Sequence, residues 1–210
     1  MMIHAILPVG MLECNCSVIG DETTLEAIVV DPGDDVSEIM SILRRYGLSV
    51  KMIVITHAHI DHIGGAHKLR ALTGAPVYMH EADRMLSDRL DTQAAWLGVA
   101  TPPNPGIDVA AREGDTIRAG SVEAQVLHTP GHTQGSISLY IPAEMLLLSG
   151  DTLFQGSVGR TDLPGGDAEQ IARSIRGKLY TLPEETMVVP GHGENTSIGE
   201  ERRLNPFVRP

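Results

Sequence analysis

Short apolar runs and amphipathic stretches alternate along the whole chain, and most runs stop at Gly, Pro or a polar residue. Apolar runs of four to eight residues bounded by such breaks indicate strands, whereas apolar positions spaced by three and four indicate helices. The pattern predicts strands at 2–9, 13–19, 25–30, 50–55, 75–79, 115–118, 122–128, 136–141, 144–149 and 187–189. It predicts helices at 35–46, 64–73, 81–90 and 167–180.

Two of the helices carry clear start or stop signals. In the first, apolar side chains recur from Val36 to Tyr46 and Gly47 follows as a stop. In the last, Asp167 is a candidate N-cap. Between the two halves, residues 91–106 contain Trp96 and several prolines, which disfavour regular structure. We interpret this stretch as a surface connection, which either borders the active site or serves as a plain linker.

One set of strands and helices is followed by a second such set without a linker. This order predicts one domain, residues 1–210, of the α/β (α+β) class. Two mixed β-sheets packed face to face with helices outside, a four-layer αββα sandwich, would bury the apolar face of every element.

The composition excludes some classes of function. The net charge of −11 argues against the basic surface that binding of nucleic acids requires. No apolar run reaches the roughly 18 residues that span a bilayer, and no signal peptide is recognisable at the N-terminus. We therefore expect a cytoplasmic protein without nucleic-acid or membrane partners. Cys14 and Cys16 are poorly spaced for an unstrained disulfide and are expected to be reduced thiols.

The most informative stretch is a histidine-rich segment directly after the apolar run 50–55. Side chains alternate in an extended loop, so His57 and His59 can point the same way, with Asp61 available two residues further on. His62 falls out of phase and can reach a second position. Imidazole and carboxylate groups bind zinc, iron or manganese, so this loop could serve two neighbouring metal ions.

Three further candidate ligands follow the same pattern of strand, break and ligand-type residue: His132, Asp151 and His192. If the strands lie side by side, all these residues meet at one edge. The natural division assigns His57, His59 and His132 to one metal ion. Asp61, His62 and His192 would bind the other. Asp151 would bridge both, because a carboxylate has two oxygens that can each bind a cation.

The segment 57–62, together with Gly131-His132, Gly150-Asp151 and Gly191-His192-Gly193, resembles the metallo-β-lactamase superfamily in order and spacing. Residues 150–154 and 159–162 resemble the glyoxalase-II-like hydrolases, and residues 201–207 resemble the end of their short, single-domain bacterial members. The resemblance implies the metallo-β-lactamase fold and the seven ligands as divided above. It also implies a chain without the C-terminal helical domain that helps to hold glutathione in the longer enzymes.

The activity implied is hydrolysis of a thioester of the S-lactoylglutathione type by a hydroxide that bridges two divalent metal ions. Zinc is the first expectation, with iron or manganese as alternatives. Asp61 is the candidate catalytic residue because it could also orient the hydroxide. The expected partner is a small acyl thioester, for example a glutathione conjugate. The native metal, the physiological substrate and the oligomeric state do not follow from the sequence.

Several readings stay open. A mononuclear-iron persulfide dioxygenase could use His57, His132 and Asp151 as its two-histidine, one-carboxylate site. Another ester or a lactone could be the substrate, and a non-catalytic metal-binding protein is a third class. Arg160 could contact a substrate carboxylate or form an ion pair within its loop. Asp31, at the end of its strand, could hydrogen-bond to a metal ligand and orient it, or only shape the turn.

Overall fold

The computed structural model describes residues 1–210. The chain divides into two compact units. The first comprises Met1–Ala111 with Arg118–Val122, and the second comprises Arg112–Ile117 with Glu123–Pro210.

The first six-stranded sheet has its strands in chain order, β1 to β6. Strands β1, β2 and β3 pair antiparallel, whereas β3, β4, β5 and β6 run parallel. Helices connect the parallel strands, as parallel pairing requires. The elements are β1 (Met2–Val9), β2 (Cys14–Asp21), β3 (Glu26–Val30), α1 (Val36–Tyr46), β4 (Ser49–Val54), α2 (Ile60–Ile63), α3 (Ala66–Thr73), β5 (Val77–His80), α4 (Arg84–Ser87), α5 (Leu90–Leu97) and β6 (Val109–Ala111).

The second six-stranded sheet has the order β14-β13-β10-β9-β8-β7. Strand β10 pairs parallel with β13 and antiparallel with β9. A separate hairpin, β11–β12, follows β10. The elements are β7 (Thr116–Ala119), β8 (Val122–His128), β9 (Ile137–Ile141), β10 (Leu146–Gly150), β11 (Leu153–Phe154), β12 (Ser157–Val158), α6 (Ala168–Gly177), β13 (Met187–Pro190), β14 (Thr196–Ser197) and α7 (Ile198–Leu204).

The longer helices form where the sequence places one apolar face and a cap. Helix α1 buries Val36, Ile39 and Leu43 in the hydrophobic core of the first unit. It ends at Gly47, whose backbone is in the left-handed region that glycine adopts without steric cost. In α6 the Asp167 carboxylate accepts a hydrogen bond from the backbone N–H of Gln170 (2.9 Å), as the predicted N-cap requires. Both helices therefore follow directly from local sequence.

A buried carboxylate holds the C-terminal segment of the second unit together. Glu201, on α7, is 2% exposed and accepts hydrogen bonds from the Thr196 hydroxyl (2.7 Å) and the Asn205 amide (2.8 Å). The backbone N–H of Gly156, in the turn of the β11–β12 hairpin, donates to the same carboxylate at 3.0 Å. Helix α7 and the hairpin are thus joined through one side chain.

The predicted α/β class with two mixed sheets and helices is confirmed. The helix predicted at 64–73 is preceded by the short helix α2, so His62 lies inside α2 and not at the N-terminus of α3. The helix predicted at 81–90 is broken into a 3₁₀ turn, α4 and α5, and α5 extends into the stretch predicted to be irregular. None of the helices combines the length and apolar character needed to cross a bilayer. That residues 1–210 form one domain stays a prediction.

Candidate metal centre

The carboxyl ends of β3 and β4 bring Asp31 next to the histidine loop. The two strands are parallel, with Val30 opposite Val54, so the residues that follow them are neighbours at one sheet edge. The Asp31 carboxylate accepts hydrogen bonds from the backbone N–H of Thr56 at 2.7 Å and from the Thr56 hydroxyl at 2.6 Å. Asp31 is therefore tied to the start of the loop through both carboxylate oxygens.

Asp31 also fixes the ring of His62. The side chain of Asp31 is buried and its backbone φ is 52°, a left-handed conformation that Asp tolerates better than most residues. Its Oδ2 atom lies 2.9 Å from Nδ1 of His62. A carboxylate can only accept, so Nδ1 carries the proton and Nε2 keeps its lone pair for a metal ion.

Thr56 transmits the same constraint to His57. The single hydroxyl proton of Thr56 is donated to Asp31, so its oxygen can accept from Nδ1 of His57, which lies 3.1 Å away. Nδ1 of His57 is then protonated and Nε2 is the ligand atom. One buried carboxylate thus sets the tautomer of two candidate ligands, directly and through a hydroxyl. These hydrogen bonds are the ones through which Asp31 could orient metal ligands, the first role considered for it from sequence. Asp31 also takes part in the turn, because its carbonyl accepts from the N–H of Gly33 at 2.8 Å.

The histidine loop is extended only as far as His59, whose φ and ψ are −72° and 146°. The chain then turns into α2, so Asp61 and His62 are placed by a helical turn and not by the continued alternation that the sequence suggested. Nε2 of His62 lies 3.6 Å from Oδ2 of Asp61. The ligand atoms of His57 and His59, and those of His57 and His62, lie within 4.8 Å of each other.

Two buried polar residues outside the motif hold the loop backbone. The Asp83 carboxylate accepts from the backbone N–H of Ala58 at 2.9 Å. The Gln93 side chain accepts from the N–H of Ile60 (2.9 Å) and donates to the carbonyl of Ala58 (3.2 Å). Sequence reasoning missed both residues, because neither belongs to a motif and each acts across more than 20 residues of chain.

In the second unit, the parallel strands β10 and β13 place Asp151 beside His192. Gly150 pairs with Pro190, and the N–H of Gly191 donates to the Gly150 carbonyl at 2.9 Å. The residues after each strand therefore share one edge, and Oδ2 of Asp151 lies 3.9 Å from Nε2 of His192. The sequence pattern of strand, glycine and ligand is sufficient to produce this pair.

His132 reaches the same carboxylate from the connection between β8 and β9. Its Nε2 lies 3.6 Å from Oδ2 of Asp151, and its Nδ1 donates to the backbone carbonyl of Arg160 at 2.8 Å. Nε2 is again the atom left for a metal ion. The backbone of residue 159 passes close to that of Asp151 at this point. Only glycine fits there, because a Cβ would overlap the carbonyl oxygen of Asp151.

Arg160 itself extends into solvent and forms an ion pair with Asp162. The guanidinium donates to both carboxylate oxygens, at 2.8 Å each. The Arg160 guanidinium beside it lowers the pKa of Asp162 to about 2. The loop ion pair, one of the two readings of Arg160 from sequence, is present.

Cys14 and Cys16 are both free and fully buried. Burial raises the pKa of the Cys14 thiol to about 11 and raises that of Cys16 well above its ordinary value. The Cys14 sulfur lies 3.4 Å from Nδ1 of His62, a contact that the cysteine spacing did not indicate.

The donor atoms fit divalent metal ions. Imidazole Nε2 and carboxylate oxygen atoms converge at 3.6–3.9 Å, longer than hydrogen bonds, while Nδ1 of His57, His62 and His132 is used by a backbone or side-chain acceptor. Metal-ligating histidines in proteins are oriented in this way. The absence of cysteine from the predicted ligands favours a catalytic site over a closed structural one.

The family profile described as the metallo-beta-lactamase superfamily matches residues 9–192. The chain belongs to this superfamily of metallo-hydrolase-like enzymes, and the match contains all seven predicted ligands.

Curated relatives match along nearly the whole chain. An uncharacterized protein of Aquifex aeolicus is 44% identical, covering 99% of this chain and 97% of its own. "Hydroxyacylglutathione hydrolase GloC" of Haemophilus influenzae is 35% identical, covering 97% and 96%. "Probable metallo-hydrolase YqgX" of Bacillus subtilis is 37% identical, covering 96% and 95%.

Solved structures agree with this assignment. The BLEG-1 B3 metallo-beta-lactamase is 37% identical with a TM-score of 0.90, covering 98% of this chain and 99% of its own. TTHA1623 in a di-iron-bound form is 38% identical with a TM-score of 0.87, covering 97% and 100%. The predicted metallo-β-lactamase fold is confirmed, and the histidine and aspartate clusters point to divalent metal ions.

Proposed function

We propose that the protein is a metal-dependent thioester hydrolase that acts on substrates of the S-lactoylglutathione type. The observation that carries the proposal is the orientation of the histidine rings, with Nδ1 engaged and Nε2 presented beside Asp61 or Asp151. The similarity to GloC along 97% of the chain supports the choice of a thioester.

The proposed centre would hold two divalent ions, with zinc as the first choice. His57, His59 and His132 would hold one ion, Asp61, His62 and His192 would hold the other, and Asp151 would be a ligand to both. When bound, the ions supply Lewis acidity that lowers the pKa of water and polarises the thioester carbonyl.

Asp61 combines two roles in this proposal. Its carboxylate would be a metal ligand, and it would also accept a hydrogen bond from the attacking water and thereby orient it. A thiolate leaves without a strong general acid, so no further proton donor is required. Asp31 acts behind the ligands, because it keeps the rings of His57 and His62 in the ligating tautomer.

Glutathione recognition would involve Arg160. Its guanidinium is already paired with Asp162, so a substrate carboxylate would have to replace that partner. Such an exchange costs little, because both side chains are more than half exposed and exposed ion pairs are weak.

The test is turnover of S-D-lactoylglutathione by protein loaded separately with zinc, iron or manganese. Metal-dependent release of glutathione is expected. His59→Ala and Asp151→Ala should each lower metal content and activity together, whereas His67→Ala, an exposed histidine outside the centre, should alter neither. Absence of turnover in every metal form would refute the proposal, and a fully metallated, active Asp151→Ala variant would refute the bridging role.

A second candidate is a mononuclear-iron persulfide dioxygenase using His57, His132 and Asp151. The similarity that supports iron is to TTHA1623, 38% identical, whose structure is of a di-iron-bound form; a single iron ion is what this candidate adds. Iron-loaded protein would then consume oxygen in the presence of glutathione persulfide. No uptake under these conditions removes this candidate, and hydrolysis of another ester or lactone is the remaining alternative.

A further inference from the structure

A pocket of about 350 Å³ opens beside Asp61 within the first unit. Its volume lies within the range of about 300–1,000 Å³ that is usual for small-molecule sites. Most of its lining is apolar. We call it the acyl pocket and define it by Met11, Leu12, Ile60, Leu97, Val99 and Pro102.

One wall is the turn between β1 and β2. Met11 and Leu12 are 67% and 43% exposed there. Side chains this exposed contribute little to the hydrophobic core, so the core does not require them to be apolar. The turn is fixed at its base, because the N–H of Gly10 donates to the carboxylate of Asp35 at 2.9 Å. Clustered apolar side chains exposed on an ordered wall are typical of a ligand-binding surface.

The opposite wall is the stretch that follows α5. Gly98 ends the helix in the left-handed conformation, and the N–H of Val99 returns to the Ala94 carbonyl at 3.1 Å. Beyond Pro102, the Asn104 amide donates to the Ser87 carbonyl at 3.0 Å. This wall is therefore held in place without a ligand.

The pocket offers no basic side chain to pair with an anion. Apart from Asp61, whose charge the proposed metal ions would neutralise, the one charged side chain in its lining is Asp34. A ligand carboxylate would be desolvated there without a partner, whereas a neutral hydrocarbon would cover the exposed apolar side chains.

Resting on the proposed hydrolase function, we propose that the acyl pocket binds the acyl chain of the substrate, and that this chain is neutral and apolar and longer than lactoyl. Asp61 lines the pocket and is also a proposed metal ligand, so a chain seated there has its thioester carbonyl beside the metal centre. The thiol part of the substrate, including any carboxylates, lies outside the pocket. The preferred substrates are therefore thioesters of medium-length or branched fatty acids.

The experiment compares kcat/KM for N-acetylcysteamine thioesters carrying lactoyl, acetyl, butanoyl and hexanoyl groups. This thiol is small and neutral, so differences report on the acyl chain. Each methylene that becomes buried should raise kcat/KM by about fourfold, and hexanoyl should exceed lactoyl. Values that stay level or fall from acetyl to hexanoyl would overturn the pocket assignment while leaving the hydrolase function intact.

A charge placed in the wall provides the matched test. Leu12→Asp should reduce the ratio of hexanoyl to acetyl kcat/KM at least threefold. Leu72→Asp introduces the same charge at an exposed leucine, 56% exposed, outside the pocket and should leave the ratio unchanged. An unchanged ratio in a folded Leu12→Asp variant would contradict the proposal.

Ketone analogues, in which CH₂ replaces the thioester sulfur, separate the two hypotheses because their binding needs no turnover. Tighter calorimetric binding with increasing chain length, lost in Leu12→Asp, would support the pocket even if no thioester were hydrolysed. Absence of turnover together with absence of length-dependent binding would refute both.

Discussion

Replacing Asp31 by Asn tests whether one carboxylate sets the ligating tautomers. Asn has the same size and tolerates the left-handed φ of 52° at this position. If its oxygen stays on the N–H of Thr56, its amide group points at Nδ1 of His62 and can only donate. Nδ1 must then accept, and the proton moves to Nε2, the atom that binds the metal. The flipped amide would instead leave the buried Thr56 N–H facing another donor.

Both orientations carry a cost that the structure allows us to bound. Asp31 accepts three hydrogen bonds, at 2.6, 2.7 and 2.9 Å, and at least one is lost or reversed. Bonds to charged groups contribute about 1.5–3 kcal/mol each. Loss of an orienting partner behind a metal ligand typically lowers metal affinity by about 10- to 100-fold. We therefore expect zinc affinity to fall by this factor.

The assay is competition for zinc against a chromophoric chelator, combined with urea unfolding of the metal-free protein. Asp21→Asn is the matched control. Asp21 is also buried and accepts backbone N–H groups, from Thr23 at 2.7 Å and Ser121 at 2.6 Å, but it does not contact the histidine loop. The control should lose stability without a change in zinc affinity. Wild-type zinc affinity in Asp31→Asn would show that the tautomers are set in another way.

Three further predictions concern the surroundings of the site. Gly33→Ala should lower the free energy of unfolding by about 1–3 kcal/mol, because the added Cβ would overlap the Asp61 carbonyl. The control Gly177→Ala adds a Cβ in open space and should not destabilise the protein. Urea unfolding measures both variants. Burial raises the pKa of Tyr180 to about 12, above its unfolded value of about 10, so its contribution to stability should be lost as pH rises from about 10 to 12. The buried thiols Cys14 and Cys16 act in the same direction, so Tyr180→Phe should reduce this slope relative to the wild type, as urea unfolding across this pH range would show. Arg160→Ala removes an exposed ion pair, so Tm should change little, while KM for S-lactoylglutathione rises if the arginine contacts the substrate; an unchanged KM would leave it a loop ion pair only.

The positions of the predicted ligands follow from a simple rule that sequence can express. Asp151 and His192 each come directly after an apolar strand and a glycine, and parallel pairing of β10 with β13 makes them neighbours. Asp31 and the histidine loop meet in the same way at the ends of β3 and β4. Local pattern was therefore sufficient to predict these neighbours within each unit, and their joint metal binding stays a prediction.

Other features depend on contacts that local pattern does not encode. Asp83 and Gln93 hold the loop backbone across long stretches of chain, and Cys14 reaches His62 from a different strand. Helix α2 has four residues, too few to show a helical period in the sequence, so it was not predicted. Because the chain turns into α2 after His59, the extended alternation expected beyond that residue was wrong. The sequence did not predict the acyl pocket, because its walls come from separate turns; for residues 91–106 it offered only a connection that borders the active site or a plain linker.

The link through Glu201 limits how this fold can be redesigned. The hairpin that it holds lies between Asp151 and Arg160 in sequence, within the segment an engineer would exchange to alter substrate preference. A grafted hairpin would keep its shape only if its own α7 came with it, because a mismatched helix leaves the Gly156 N–H without its acceptor. Loop exchange among relatives should therefore be designed as the exchange of two distant segments, inherited together.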